Sequence, residues 1–374
     1  MAKSPGEPVL FVVENGEDVR RYDGWTNIKL VRDAIAAAGK LTLSSHLDRL
    51  APYPIKPGNQ VRLQLGDDVL LDGFVDGVEA VADKRGSTVQ VSARDRTQDL
   101  VDCTSANAPG EFKLLRVREL AERLARPFAV SITDEARDGE QLPVFNLEAS
   151  ETAWSAIERA CRRRGILAFS DGDGKLTLGR PGSRQSAIAI VQGPRSEGGN
   201  ALRVSMRYTW RDRFRNYTVL GQRQGDDDGW GETSATIQGE ATDDELPRFR
   251  PLTVLAEGQV TAQDAALRAQ WEATVRAAQS ANVEVLVPGW RESYLEGNVW
   301  RLLTSVDVRV PKLQLNRRML VDRIVFERSR DQGTTTRLRL VREDAYEPKP
   351  EVRQAGNPLE GWLNGTGTET PRNA

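Results

Sequence analysis

The fold is decided by residues 283–346, which read VEVLVPGWRESYLEGNVWRLLTSVDVRVPKLQLNRRMLVDRIVFERSRDQGTTTRLRLVREDAY. Apolar and charged residues alternate in several short runs, for example at Val306–Val310 and Arg337–Leu340. A two-residue period places apolar side chains on one face of a strand and charged ones on the other, which is typical of half-buried antiparallel strands. Glycine-containing turns separate the runs. The stretch therefore predicts five strands: Val283–Val287, Val299–Leu303, Val306–Val310, Met319–Arg328 and Thr334–Arg342.

A second strand-rich region lies near the N-terminus, at about residues 9–101. Val61, Leu63 and Leu65 alternate with polar residues, and further short runs follow at similar spacing. Several short strands at this spacing predict a small barrel or sandwich. Leu41–Leu50 fits either a strand or a short helix. The other predicted strands are Val9–Glu14, Tyr22–Val31, Val69–Val81 and Thr88–Arg94.

The segment between these regions has a mixed character. Arg116–Arg126 and Ala149–Arg164 carry apolar residues at helical spacing, and Gly165 follows the second helix where a C-terminal glycine is expected. The segment Asp171–Gly174, Asp-Gly-Asp-Gly, then predicts a hairpin turn between two short strands. Further on, Thr261–Ser280 is predicted to be a helix. The fold class is therefore mainly β with an α+β insertion: two antiparallel β-barrel-like domains plus a small mixed domain.

The order of several short motifs resembles the Mu-like phage baseplate hub proteins. This family is related to the hubs of other contractile tails and to the hub part of type VI secretion spike proteins. The resemblance runs over about residues 9–346. Its motifs are Gly24-Trp25, Pro57-Gly58-Asn59-Gln60-Val61, Leu71–Asp76, Gly289-Trp290, Gly297-Asn298-Val299-Trp300, Leu320–Phe326, and Gly333–Leu340 followed by Asp344-Ala345-Tyr346.

The resemblance implies a structural role in a virion. Three copies would form a pseudo-sixfold ring that joins a hexameric tail tube to a trimeric central spike, contacts other baseplate proteins and lets phage DNA pass without sequence-specific binding. Assembly would take place in the host cytoplasm. The expected domains are a first β-barrel-like domain at 1–101, an α+β insertion at 102–200, a second β-barrel-like domain at 201–346 with a helix at 261–280, and an extended tail at 347–374.

Composition narrows the function classes. The chain has 374 residues, 28% of them charged, and a formal net charge of −2 from 52 basic and 54 acidic residues. This balance provides no global field that attracts nucleic acid. No apolar run approaches the length of a membrane span, and the first residues lack the apolar stretch of a signal peptide. Arginine is the main basic residue, which fits either a coding bias or ion pairs at subunit interfaces.

The candidate functional surface is a row of arginines that follows Ala201. In residues 202–210 the apolar residues occupy even positions, so the pattern predicts an amphipathic strand with an arginine face. This face fits a solvated surface paired with neighbouring acids, or a channel or interface surface in a ring. A uniformly basic channel would trap DNA, so a mixed lining is expected. The row consists of Arg203, Arg207, Arg211, Arg213 and Arg215. Residues 223–245 are predicted to form a long polar loop.

Catalytic and metal-binding motifs are weak in this sequence. His46 is the single histidine and does not follow a nucleophile motif, and Cys103 and Cys161 are far apart without a paired motif. The segment 171–182 departs from a calcium loop because Gly182 stands where a glutamate ligand is required. Asp226–Asp228 fits a solvated loop better than a metal site. We therefore expect no catalytic residue, cofactor or metal.

Two functions of other classes remain open at this stage. A tail-associated peptidoglycan hydrolase would need paired carboxylates, which an acid-rich chain can supply without a recognisable motif. A glycan-binding or peptide-binding β module of a secretion apparatus would show similar strand alternation. Lysis of peptidoglycan would distinguish the first from a structural hub, and soluble glycan binding by a monomer would distinguish the second.

Overall fold

The computed structural model describes residues 8–14, 17–46, 55–84, 86–222, 236–259, 261–293 and 297–346. Within these ranges, no helix has both the length and the apolar character needed to cross a membrane. The helices are α1 (Gln98–Asp102), α2 (Val117–Ala125), α3 (Ala153–Arg162) and α4 (Ala262–Gln279).

Strands dominate the described residues, which confirms the predicted mainly β class. In chain order they are β1 (Pro8–Glu14), β2 (Glu17–Tyr22), β3 (Asn27–Asp33), β4 (Lys40–His46), β5 (Gln60–Leu65), β6 (Asp68–Asp83), β7 (Gly86–Asp95), β8 (Gly110–Arg116), β9 (Ser131–Asp134), β10 (Gln141–Leu147), β11 (Leu167–Phe169), β12 (Lys175–Gly179), β13 (Arg184–Gln185), β14 (Ile190–Val191), β15 (Arg203–Tyr208), β16 (Asn216–Gln222), β17 (Thr236–Thr242), β18 (Pro251–Gln259), β19 (Ala281–Pro288), β20 (Thr304–Val310), β21 (Leu315–Ser329) and β22 (Gly333–Val341).

One 14-stranded sheet joins the two strand-rich ends of the chain. Its hydrogen-bonded path runs β15-β19-β22-β21-β3-β4-β7-β6-β5-β1-β2, with β20 also paired to β21 and β13 and β14 paired to β20. The junction is the antiparallel pairing of β21 with β3. Within the described ranges the path does not return to its first strand. The two predicted barrel-like domains therefore share one sheet.

The same set of five antiparallel strands occurs twice in this sheet. The first set is ordered β3-β4-β7-β6-β5, and the second is ordered β15-β19-β22-β21-β20. The fourth strand of each set, β6 or β21, is long and shifts register at an aspartate, Asp76 or Asp322. A one-residue bulge at the same point of both long strands fixes the correspondence between the two sets residue by residue.

Alternation in the sequence determines which face of the sheet is buried. On β3, Ile28 and Leu30 are buried while their odd-numbered neighbours are wholly or partly exposed, and β19 buries Val283 and Val285 in the same way. Both sets contribute to one hydrophobic cluster, which also includes the fully buried Trp300. Each fully buried Val, Leu or Ile side chain contributes about 1.5–3 kcal/mol to folding. Burial of the apolar face that the period-two pattern creates therefore stabilises the sheet.

The predicted α+β insertion is confirmed. α2 and α3 pack with the hairpin β11–β12 and with β9 around a second hydrophobic cluster. Thr152 caps α3 because its side-chain oxygen accepts a hydrogen bond from the Ser155 backbone N–H at 3.1 Å. Gly165 follows the helix with a φ of 61°, which is the left-handed conformation expected there.

The described residues of 210–277 form a separate compact unit, and those of 1–209 and 278–348 form the other. In the smaller unit, the three-stranded sheet β17-β16-β18 shares a hydrophobic cluster with α4. The predicted helix Thr261–Ser280 is confirmed as α4. The predicted loop at 223–245 is wrong for residues 236–242, which form β17 because they pair with β16. Residues 223–235 and the predicted tail at 347–374 lie outside the described residues.

Two strand predictions need correction. Val299–Leu303 does not form a strand: Val299 makes an isolated bridge to Arg291, and Leu303 has a φ of 55°, which interrupts extended backbone. Tyr22–Val31 divides between β2 and β3. The open choice at Leu41–Leu50 is settled for its first part, where β4 is a strand. The domain boundaries at 101, 200 and 346 stay a prediction, and the compact units follow a different division.

The close approach of β6 to β7 gives a first prediction. A Cβ at Gly73 would lie 1.9 Å from the Arg94 carbonyl oxygen, whereas a Cβ at Gly139 would meet nothing within 4 Å. We expect Gly73→Ala to lower the free energy of unfolding by about 3 kcal/mol or more, because the strands must separate to admit the methyl group. We expect Gly139→Ala to stay within about 1 kcal/mol of the parent. Urea unfolding measures both, and equal midpoints for the two variants would contradict this packing.

Candidate functional site

Arg203 and Arg207 lie on β15, which is the first strand of the sheet path. Both side chains are exposed, and they share one face of the strand because they are four residues apart. Neither arginine has an ion-pair partner among the described residues. β15 pairs with β19 along one edge, and within the described chain its other edge is unpaired. Such an edge presents backbone N–H and C=O groups to any further strand.

The sequence predicts that the apolar side of this strand is buried, but most of that side is exposed. Val204 is partly buried, but Met206 is 40% exposed and Tyr208 is 55% exposed. Their partners on β19, Val283 and Ala281, are both buried. The hydrophobic cluster thus continues to the edge of the sheet and lacks a neighbouring strand that would cover it. This is a correction to the predicted amphipathic strand, and it makes the β15 edge the main candidate interaction surface.

The remaining arginines of the predicted row do not continue along β15, because the strand ends at Tyr208. The Arg213 side chain is 2% exposed, and its Nε and Nη2 donate to the Asp243 carboxylate at 2.5 and 2.9 Å. These bonds hold the pKa of Arg213 above its ordinary value. Arg215 contacts the Leu246 carbonyl oxygen, and the Arg211 carbonyl oxygen accepts from Arg250 at 2.9 Å. These three residues belong to the smaller unit, where Arg213 stabilises the local fold.

A cluster of charges around the buried Asp171, in the larger unit, was missed by the sequence reasoning. The Asp171 carboxylate lies 2.7 Å from Arg184 Nη1 and 3.1 Å from Arg301 Nη2. Arg32 is 3% exposed and donates to the Leu70 carbonyl oxygen at 2.7 Å. One signal was available: Arg32 follows Ile28 and Leu30 at the period that marks the buried face of β3. A charged residue at a core position requires a buried partner.

Electrostatics explain how these charges coexist. Burial alone would raise the pKa of Asp171, but Arg184, Arg32 and Arg301 outweigh it and hold that pKa below its ordinary value. Burial lowers the pKa of Arg32. Arg184 also forms a two-bond pair with Glu135, at 2.7 Å for each bond. The cluster ties the hairpin turn of the insertion to both strand sets, because its members come from all three parts of the chain.

The turn that presents Asp171 is the predicted hairpin turn, which is confirmed by the pairing of β11 with β12. Gly172 has a φ of 88°, and a Cβ there would lie 2.3 Å from the Leu70 carbonyl oxygen. Its own carbonyl oxygen accepts from the Asp72 N–H at 2.7 Å. A cleft of about 460 Å³ beside the turn is lined by Arg32, Arg184 and Arg301, among others. Four carboxylates line the same cleft, those of Asp68, Asp171, Asp173 and Glu292, so its arginines offer little free charge to a ligand.

The groups weighed for catalysis lie apart from both features. His46 ends β4 and is exposed. Burial raises the pKa of the Cys161 thiol, which disfavours the nucleophilic thiolate, while Cys103 is exposed and free. In the described residues, no group of three or more His, Cys, Asp or Glu side chains is placed to hold a metal ion.

Comparisons with known proteins agree on one family across most of the chain. The Mu phage baseplate assembly protein GpP-like N-terminal family matches residues 14–95. The second-domain family of baseplate hub protein gp44-like proteins matches 97–180, and the fourth-domain family of Mu phage baseplate assembly protein GpP matches 261–349. Baseplate hub protein gp44 of Escherichia phage Mu is 28% identical over 339 residues, which cover 88% of this chain and 87% of that protein.

Solved structures agree. The 43 kDa tail protein of prophage MuSo2 from Shewanella oneidensis is 28% identical, with 91% of this chain and 99% of that chain covered at a TM-score of 0.77. The tail protein from Neisseria meningitidis MC58 shares the fold at 20% identity, with 92% and 99% covered and a TM-score of 0.75. Fold and matches together define a structural protein of a phage tail. The chain belongs to the Mu-like phage baseplate hub proteins, and its place in the virion is the tail baseplate.

The buried cluster gives a prediction about stability. We expect Asp171→Asn to lower the free energy of unfolding by about 3–5 kcal/mol, because the buried Arg32 and the largely buried Arg184 then lose their counter-charge. Asp173→Asn is the matched control in the same turn. Its carboxylate is partly exposed and lies 3.7 Å from Lys175 Nζ, so the expected loss is below about 1 kcal/mol. Equal losses in denaturant unfolding would contradict a specific role for Asp171.

The effect of Asp171→Asn on stability is expected to depend on pH. The folded-state pKa of Asp171 is lowered, so its contribution is complete above the unfolded-state pKa of about 3.9 and is lost as the pH falls through the folded value. We expect the stability difference between the parent and Asp171→Asn to be constant near neutral pH and to shrink from about pH 4 downward. Thermal unfolding across this range measures it, and a difference that stays constant would contradict the assignment.

Proposed function

We propose that three copies of this chain form a ring that serves as the central joint of the baseplate. The observation that carries the proposal is the repeated five-strand set. Each chain supplies the set twice, so three copies supply six similar units around one axis. Such a ring matches a hexameric tail tube on one side and a trimeric spike on the other. A ring of identical chains requires a heterologous interface repeated by rotation.

The partners that follow are the tail tube protein, the central spike protein and other baseplate proteins. Phage DNA passes through the ring during ejection without sequence-specific binding. The charge arrangement supports passage, because many described arginines are paired with carboxylates. Arg94, for instance, contacts both Asp76 and Asp102 at 2.7 Å. Arginines that are paired with carboxylates neutralise few phosphates. Few counterions are then released from the DNA, so binding is weak.

The role we infer is mechanical and not enzymatic. Extensive strand pairing and the Asp171 cluster connect distant parts of the larger unit, which suits a joint that carries load. The exposed apolar edge at β15 indicates that the isolated chain has an uncovered contact surface. The related protein of Escherichia phage Mu is itself described as a baseplate hub protein.

Imaging and sedimentation test this proposal. We expect the purified chain to form closed rings of three copies as its concentration rises, with an axial opening in single-particle class averages. We also expect no loss of turbidity when the protein is added to purified peptidoglycan. A monomer that lyses peptidoglycan, with lysis abolished by one Glu or Asp substitution, would overturn the proposal in favour of a hydrolase. Soluble glycan binding by a monomer would favour a binding module.

A further inference from the structure

Several strand edges of the larger unit are unpaired in the described part of the chain, the outer edge of β2 among them, and two correspond to the strands that β21 and β3 join inside the chain. One is the outer edge of β15. The other belongs to the second half of β6: β5 pairs with β6 only as far as Phe74, and from Gly77 onward β6 pairs with β7 alone. Residues 79–83 are exposed, and Val81 is 49% exposed. Each chain therefore has two different open edges, as a head-to-tail interface requires.

The chain already contains the contact that these edges could make. β15 is the first strand of its set, and β3 is the first strand of the other set. β6 and β21 are the fourth strands. Inside one chain, the first strand of one set pairs with the fourth strand of the other, in the antiparallel register Arg323↔Asp33 to Ser329↔Asn27. The opposite combination, β15 with β6, is the one that a single chain leaves unmade.

The register of β21 with β3 can be applied to the equivalent residues of β6 and β15. This transferred register shows which residues would meet. The bulges make Asp76 equivalent to Asp322, so Gly77–Asp83 corresponds to Arg323–Ser329. The strand β4 pairs with β3 and β7 as β19 pairs with β15 and β22. These pairings make Ile28 equivalent to Val204 and Leu30 equivalent to Met206.

We propose that β15 of one copy pairs antiparallel with Gly77–Asp83 of the next copy and continues the sheet around the ring. The proposal rests on the ring proposed above and names its interface. In the transferred register, Glu79 lies opposite Arg207, Asp83 opposite Arg203, Ala80 opposite Met206 and Val78 opposite Tyr208.

Charge supports this register. Directly opposite residues on antiparallel strands share one face, where opposite charges attract and like charges repel. The transferred register places an acid against each of the two exposed arginines of β15. In the pairing within the chain, Glu327 lies opposite Lys29, with 3.5 Å between Lys29 Nζ and Glu327 Oε1. Both junctions would therefore include cross-strand acid–base pairs.

Burial supports the same register. Met206 and Tyr208 lie on the face of the sheet that carries the hydrophobic cluster, yet each is at least 40% exposed. Val78 lies on the corresponding face of β6 and packs partly against that cluster. Adding the strand of a second copy would cover these side chains and satisfy the open backbone edge in one step. A second copy is the favoured occupant because both halves of the contact, with matching charge, are present in every chain.

Cross-linking tests the contact. In a Cys103→Ser background, which removes the exposed native thiol, the variant Ala80→Cys/Met206→Cys is treated with a short bis-maleimide linker. We expect covalent species that end at three copies, because the third link closes the ring. The control is Val19→Cys/Met206→Cys. Val19 is 49% exposed but lies on β2, at the other end of the sheet path. Covalent multimers that are absent, or equally abundant in the control, would overturn the pairing.

Charge reversal tests the register. We expect Glu79→Arg and Arg207→Glu each to raise the concentration for half-assembly about fivefold or more, and the double variant to recover most of the loss. Glu17→Arg on β2 is the control and should leave assembly unchanged. Rings that form normally in all four variants would overturn this interface and leave the proposed function standing. A chain that stays monomeric at every concentration would overturn both the pairing and the proposed ring, and peptidoglycan lysis by that monomer would assign the chain to the hydrolases instead.

Discussion

The pairing of β21 with β3 is the constraint on which the larger unit depends. It joins strands almost 300 residues apart in sequence and turns two strand sets into one sheet. Because side chains alternate along a strand, a slip of one residue would move Ile28 and Leu30 from the buried face to the exposed one. The bulge at Asp322, whose carbonyl oxygen accepts from the Ala34 N–H at 2.8 Å, and the buried Arg32 each oppose such a slip. The repeated geometry follows from this fixed register.

The sequence was sufficient for most strands of the large sheet and for the family, but not for the way the strands meet. Alternation predicted β19, β20, β21 and β22 because each buries one face. It could not show that both ends of the chain share one sheet, since pairing between distant strands leaves no local pattern. Val299–Leu303 has strand-forming composition, yet tertiary packing of Trp300 and the left-handed Leu303 override it.

The candidate surface was predicted only in part, because a local pattern does not show where the strand ends. Arg203 and Arg207 share an exposed face, as a period-two pattern requires, whereas Arg213 is buried against Asp243 because the strand ends before it. The pattern also predicted a buried apolar face on β15. Its exposure is a property of the single chain, and the transferred register supplies the missing neighbour. Asp171 is the opposite case. It lies in a predicted turn, yet its carboxylate is buried and acts as a counter-charge to three arginines.

The most direct measurement is a cryo-electron microscopy map of the assembled chain at a resolution that shows side chains. The account predicts three copies and a sheet that continues across each boundary between copies, with Glu79 of one copy opposite Arg207 of the next. A map in which the outer edge of β15 faces solvent, or contacts a surface other than β6, would contradict it.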